Sequence, residues 1–285
     1  LNNRVNDLYF GILLLDEQLK QNTLLQDELE RNFRQISSYF ENGIANQADL
    51  DAVKVEQLNT RQKRIELSFY REAYLKMLSL LTGEELSPET ILEKPVPETM
   101  VNAVSEIRRP ELSLFDAQAT GLNVQEKALN VRHLPQFGLF VQGAYGNPGL
   151  NMLKNEFSPY YIAGVRLSWN FGSFYTLKND RRVIENKRQQ LGSNRDVFLF
   201  NTRLQVTQQD QAVRSVEKQM RDDDEIIRLR TNIRRSAEAK VANGTLTVTE
   251  MLRELTNESL ARQAKAIHEI QRLQGIYQMK YTTNQ

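Results

Sequence analysis

Apolar residues along the first forty positions recur at spacings that alternate four and three. Leu8, Ile12, Leu15, Leu19, Leu29, Phe33, Ile36 and Phe40 fall on this series, and Asn22 and Gln26 occupy its middle. A heptad seam of this kind sets one narrow apolar stripe against a partner helix. Two polar seam positions weaken the packing there and can fix its register. Gly11 is the only glycine or proline before Phe40, so the pattern predicts one helix about 60 Å long. Asn42-Gly43 is a strong stop signal. After the short turn Ile44-Ala45-Asn46-Gln47, a second helix is predicted from near Asp49. Its seam reads Leu67, Tyr70, Tyr74, Met77 and Leu81, and it ends at Leu81-Thr82-Gly83. Residues 1–83 thus read as a helix–tip–helix hairpin.

Residues 84–109 contain Pro88, Pro95 and Pro97 and little periodicity, as a linker would. Pro110 opens a helix in the segment 110–135, which stops before Pro135. The period then changes to two across 136–172. Phe137, Leu139, Val141 and Tyr145 share one face, and Phe140 breaks the pattern. In a second strand Tyr161, Ala163, Val165, Leu167, Trp169 and Phe171 alternate with Gly164, Arg166, Ser168, Asn170 and Gly172. This predicts a β-hairpin with one apolar and one polar face. Segment 173–285 returns to helix: about 100 Å interrupted only by Gly192, a stop at Asn243-Gly244, and a last helix from Thr249 to about Tyr281.

The two stops match. Asn42-Gly43 aligns with Asn243-Gly244 at an offset of 201 residues, and the same offset brings Asp49 to Glu250, Leu50 to Met251 and Arg61-Gln62 to Arg262-Gln263. Both tips place an acidic residue in the first turn of the following helix, where it complements the helix dipole. The matches predict a duplicated helix–tip–helix unit. The second copy is preceded by a helix and a β-hairpin. The chain begins at Leu1 without a signal peptide and reads as a fragment whose upstream helix and hairpin are missing.

Composition changes this picture little. Thirty-seven basic against thirty-six acidic residues leave a net charge of +1, which implies no general attraction to nucleic acid. With no cysteine there is no disulfide framework and no thiol nucleophile. No apolar run reaches the roughly 18–20 residues of a membrane helix. The run Asp222-Asp223-Asp224-Glu225 points its side chains about 100° apart on a helix, so a solvated face is expected rather than a metal site. The cluster Arg228, Arg230, Arg234 and Arg235 reads as helix surface with an inter-helix ion pair. His133 and His268 have no second ligand nearby in sequence. No catalytic, cofactor or metal site is expected, and no enzyme.

The order of these elements resembles the TolC-like outer-membrane efflux family. The residues that carry the resemblance are Arg109-Pro110-Glu111-Leu112, Leu134-Pro135, the strand Val165-Arg166-Leu167-Ser168-Trp169-Asn170-Phe171-Gly172, and the two Asn-Gly tips. The resemblance implies a mainly α fold, an α-barrel protomer of long antiparallel coiled-coil hairpins with a membrane β-hairpin. It implies a homotrimer in which each subunit gives four strands to a twelve-strand β-barrel, whereas this chain holds two. It implies a place in the bacterial outer membrane extending into the periplasm, in contact with outer-membrane lipid. A periplasmic adaptor and an inner-membrane pump are the implied partners, as in tripartite efflux or type I secretion, with the chain a passive export conduit. Gly43, Ile44, Ala45, Asp49, Gly244, Thr245, Leu246 and Glu250 would then form the adaptor-contact tips. Val165, Leu167, Trp169 and Phe171 would face lipid, and Arg166, Ser168 and Asn170 the lumen. Aromatic ends around an apolar middle fit a membrane strand. A periplasmic coiled-coil adaptor or structural protein is the alternative; it would place a soluble domain in 136–172.

Overall fold

In the computed structural model, which describes residues 2–96 and 107–284, long helices enclose a single antiparallel strand pair in chain order. They are α1 (Asn2–Glu41), α2 (Gln47–Thr82), α3 (Pro110–Val131), β1 (Gln136–Gly146), β2 (Ser158–Ser168), α4 (Ser173–Ala242) and α5 (Val248–Thr283). The expected fold class, long helical hairpins carrying one β-hairpin, is what these elements form. Packing divides the chain into Leu1–Arg108 with Thr202–Gln285, and Arg109–Asn201. Pro97 of the expected linker lies outside the described residues.

In the first unit α1 lies between α2 and α5. Leu8 and Ile12 pack on Leu75 and Leu78 of α2, while Phe10 and Leu13, on the adjoining stripe, pack on Ile270 and Leu273 of α5. The heptad count found the first stripe only. Ile12 is fully buried, and each such aliphatic side chain contributes about 1.5–3 kcal/mol over the exposed state. The polar seam positions are matched across the interface: Asn22 donates to the Thr60 carbonyl at 3.2 Å, and Gln26 accepts from Arg64 at 3.2 Å. A one-turn slip would leave Asn22 buried without that partner, so the pair specifies register.

The α2 seam differs from the expected one. Val53, Thr60, Leu67, Leu75 and Leu78 are buried, whereas Tyr70 and Met77 are exposed. The step from Leu67 to Leu75 passes through Arg71, whose guanidinium pairs with Asp16 of α1 and donates to the carbonyls of Pro88 and Thr90. A charged residue holds a seam position there, and a count of apolar residues alone slips onto the neighbouring stripe. Residues of the following segment fold back on the same end. Tyr9 Oη donates to the Glu93 carbonyl, and Lys94 reaches Glu17 at 2.6 Å and Glu269 at 3.8 Å.

Toward the tips all four helices of this unit share one core, with Leu29 and Ile36 of α1, Val53 of α2, Val241 of α4 and Met251 and Leu255 of α5. Both tips therefore lie at the same end of the unit. Further along, α4 and α5 meet at Val213, Ile276 and Met279. Gly275 permits this approach, since a Cβ there would stand 2.5 Å from Val213 Cγ2.

In the second unit α3 starts at Pro110, whose fixed φ and missing N–H suit the first helical turn. It pairs with the beginning of α4 through Phe115 and Phe198, 5.9 Å between ring centres, and through Arg188, which reaches Glu126 at 2.9 Å. Leu122 and Ile184 are the buried apolar residues of this unit among those described. Leu114, Val124, Val183, Val197 and Phe200 stay exposed. β1 and β2 pair antiparallel from Gln136 with Ser168 to Gly146 with Ser158.

Candidate functional site

The strand register sorts the hairpin into two faces. Phe137 pairs with Leu167, Leu139 with Val165, Val141 with Ala163 and Tyr145 with Pro159, so every odd pair is apolar. The even pairs include Gln136 with Ser168, Gly138 with Arg166 and Gln142 with Ile162. The apolar face is uncovered: Leu139 is 86% exposed and Val165 69%. A soluble hairpin buries its apolar face on a core; this one presents it outward.

Phe140, the break in the sequence alternation, lies on the polar face. Its ring covers Gly164 across the pair, and the Arg166 guanidinium stacks 5.5 Å from the ring centre. A Cβ at position 164 would stand 3.0 Å from that ring, so Gly164 gives Phe140 its place. The polar face thus carries a cation held over an aromatic ring.

β2 ends at Ser168, four residues earlier than the alternation suggests. Trp169, Asn170 and Phe171 lie beyond the strand and form a junction with α4. Trp169 Nε1 donates to the His133 carbonyl at 3.1 Å, and the Trp169 and Phe171 rings stand 4.5 Å apart. Ser173 donates to the Asn170 carbonyl at 2.7 Å, so its oxygen accepts from His133 Nδ1, also at 2.7 Å. His133 is buried and acts as a fastener between the end of α3 and the start of α4. These side-chain hydrogen bonds ended the strand, and the period-two count could not register them.

The tips share their main hydrogen bonds at the 201-residue offset. Asn42 Nδ2 donates to the Ser38 carbonyl at 2.7 Å, and Asn243 Nδ2 to that of Ala239 at 2.8 Å. The amide of Ile44 reaches Tyr39 O at 2.8 Å, and the amide of Thr245 reaches Lys240 O at 2.9 Å. Gly43 and Gly244 have φ of +72° and +67°, the left-handed conformation that favours glycine at a helix end. Asp49 and Glu250 each close a capping box, with Asn46 and with Thr247 respectively. Hydrogen bonds from the Thr247 hydroxyl and then its amide hold the Glu250 carboxyl below its ordinary range. The signal for both boxes is Asn or Thr three residues before an acid, Asn46 with Asp49 and Thr247 with Glu250. Ile44 projects outward, 57% exposed, and Thr245 is its counterpart. Ala45 and Leu246 turn inward onto the shared core.

Between the tips and the rest of the first unit, α4 and α5 are joined by a polar ladder whose sign reverses. Nearer the tip the bases are on α4: Arg230 pairs with Glu254 at 3.4 Å and Arg234 with Glu258. Farther away the acids are on α4: Asp224 pairs with Lys265, Asp223 with His268 at 2.9 Å and Glu217 with Arg272 at 2.9 Å. The acidic run is therefore not wholly solvated, since Asp223 is buried against α5. Nor is Arg234 surface; it is 14% exposed and also pairs with Glu238. Burial raises the Glu258 carboxyl, but hydrogen bonds from Arg262, Thr231 and Arg234 outweigh it and leave it below its ordinary range. No group of three or more potential metal ligands occurs among the described residues, and no described helix is long and apolar enough to cross a membrane.

This architecture is the fold of TolC-like outer-membrane channel subunits. The outer membrane protein VceC of Vibrio cholerae superposes with a TM-score of 0.78 at 11% identity, over 99% of this chain and 69% of that one. The CmeC outer membrane channel of Campylobacter jejuni gives 0.74 at 13% identity, over 99% and 61%. The MtrE outer membrane channel of Neisseria gonorrhoeae, in its open state, gives 0.63 at 14% identity, over 99% and 65%. The chain thus spans roughly two thirds of the length of these proteins. No protein-family model and no curated protein sequence matches it.

Proposed function

We propose that the chain is the greater part of a subunit of an outer-membrane efflux or type I secretion channel, a passive conduit from periplasm to exterior. The observation that carries this reading is the uncovered apolar face of the hairpin, backed by a face that holds Gln136, Gln142, Arg166 and Ser168 together with Phe140, Ile162 and Tyr160. Hydrocarbon on one side and a water-filled lumen on the other satisfy both. In this reading Val165 and Leu167 face lipid, with Trp169 and Phe171 at the interface, and Arg166 and Ser168 face the lumen with Asn170 below them. Two strands cannot close a barrel, so the subunit supplies further strands from outside this chain and three copies complete the wall. The exposed apolar residues of α3 and α4 fit burial against neighbouring copies.

The tips, Gly43 to Asp49 and Gly244 to Glu250, are proposed to meet a periplasmic adaptor that links the channel to an energised inner-membrane pump. Ile44 and Thr245 are the outward positions. Ile44→Glu with Thr245→Glu should reduce export while leaving folded trimer unchanged, and unaltered export would refute docking there.

The membrane assignment is tested by charge on each face of β2 in the full-length protein. Val165→Arg should cost about 2–4 kcal/mol near the midplane and lower the yield of heat-resistant folded trimer. Arg166→Glu should assemble normally. The opposite pattern inverts the faces, and equal tolerance of both removes the strand from the membrane.

A further inference from the structure

We propose that the start of α4, with the α3 residue facing it, forms a binding site for an anionic phospholipid of the leaflet nearer the helices. The proposal rests on the membrane reading above. Lys178, Arg181 and Arg182 line one groove of about 480 Å³ together with Phe174, Leu177 and Glu126. Arg188 holds both acids of this groove, Glu126 at 2.9 Å and Glu185 at 2.8 Å, and draws them away from the three cations. Lys178, Arg181, Arg182 and Arg188 against Glu126 and Glu185 leave the groove net positive. Arg181 donates to the neutral Asn130 Oδ1 at 2.8 Å, and none of the three pairs with a carboxylate among the described residues. The groove therefore carries an unmatched positive charge.

Exposed aromatic residues stand at the strand-side end of the groove. Phe171 and Phe174 are exposed, and Tyr175 is 90% exposed. Tyrosine and tryptophan placed where the apolar face ends mark the level of the lipid headgroups. Along the helix axis Lys178 lies about 4–5 Å past Tyr175 and Arg182 about 10 Å past it, at 1.5 Å per residue. The interfacial layer on each side of a bilayer is about 5–8 Å deep. Long basic side chains can extend back toward it along their own stems. A phosphodiester would sit among the three cations, with the first carbons of its chains against Phe174 and Leu177. A zwitterionic lipid brings its own cation and gains less, which makes the site selective for net negative charge.

The test uses full-length protein folded in detergent micelles doped with phosphatidylglycerol or with phosphatidylcholine, and native mass spectrometry to count the lipid retained. Wild type should retain phosphatidylglycerol in preference. Lys178→Gln/Arg181→Gln/Arg182→Gln should lower that preference about 100-fold at low ionic strength, since each cation near an anionic surface is worth roughly fivefold. Arg181→Lys/Arg182→Lys, which keeps the charge, should retain most of it and guards against misfolding as the cause. Inorganic phosphate at the lipid's concentration should displace nothing, and displacement would make this a plain phosphate site and overturn the proposal. Absence of preference in wild type overturns it too, leaving the cations to carboxylates of a neighbouring subunit. Failure of wild type to insert into phosphatidylcholine–phosphatidylglycerol vesicles would defeat the membrane reading itself, whereas insertion without lipid preference defeats this inference alone.

Discussion

Glu258 is 3% exposed and accepts from Arg234, Arg262 and Thr231. Glu258→Gln keeps the shape and removes the charge. Breaking a buried pair by removing one partner costs about 3–5 kcal/mol, because the other charge is left uncompensated. Here Arg234 keeps Glu238, and Glu28 at 4.0 Å, while Arg262 is partly exposed and can turn to water. The expected loss is therefore nearer 2–3 kcal/mol. The Glu258 carboxyl is held below its unfolded value, so the unfolded state binds more protons and stability must rise with pH. Its contribution is fully present above about pH 5 and is lost as pH falls through the folded value, starting near the ordinary Glu value of about 4.3. Urea unfolding in micelles, followed by far-ultraviolet circular dichroism at neutral and acid pH, reads both effects. Wild type should weaken on acidification and Glu258→Gln should weaken less. Arg234→Met/Glu258→Leu should recover much of the loss, since a packed apolar pair replaces a costly ionic one. A loss below about 0.5 kcal/mol for Glu258→Gln, the range of ordinary surface changes, would refute the buried-pair account.

Two further outcomes follow from packing and capping. Gly275→Ala should cost about 1–3 kcal/mol by overpacking, because Val213, only 2.5 Å from the added Cβ, is buried and stiff at χ1; Val213→Ala should restore the melting temperature. Thr247→Ala should cost about 1 kcal/mol and speed amide exchange at the start of α5, with Thr247→Asn near neutral.

Much of this architecture can be read from periodicity. The α1 seam from Leu8 to Ile36, both Asn-Gly stops and the odd–even sorting of 161–167 rest on backbone geometry, which short-range patterns report directly. Periodicity does not report places where a polar residue does a packing residue's task. Arg71 stands in the α2 seam, so the apolar count slid to Tyr70 and Met77. The ion pair expected of the Arg228–Arg235 cluster forms, but Asp223 and Arg234 are also buried because a partner on α5 compensates each, and that burial is not visible from one helix alone. β2 ends at Ser168 because Trp169 and Ser173 bond to the backbone at His133 and Asn170, contacts between segments distant in the alternation.

If the Arg166 face of the hairpin lines a water-filled pore, that side chain must set the ion selectivity of the full-length protein in a planar bilayer, read as the reversal potential under a salt gradient. In the proposed trimer Arg166 would recur once per subunit as a ring of like charge, so Arg166→Glu should preserve stepwise conductance and shift the reversal potential toward cation preference. Conductance steps with an unchanged reversal potential would take Arg166 out of the lumen. An assembled protein that gives no conductance with either residue would contradict the channel itself.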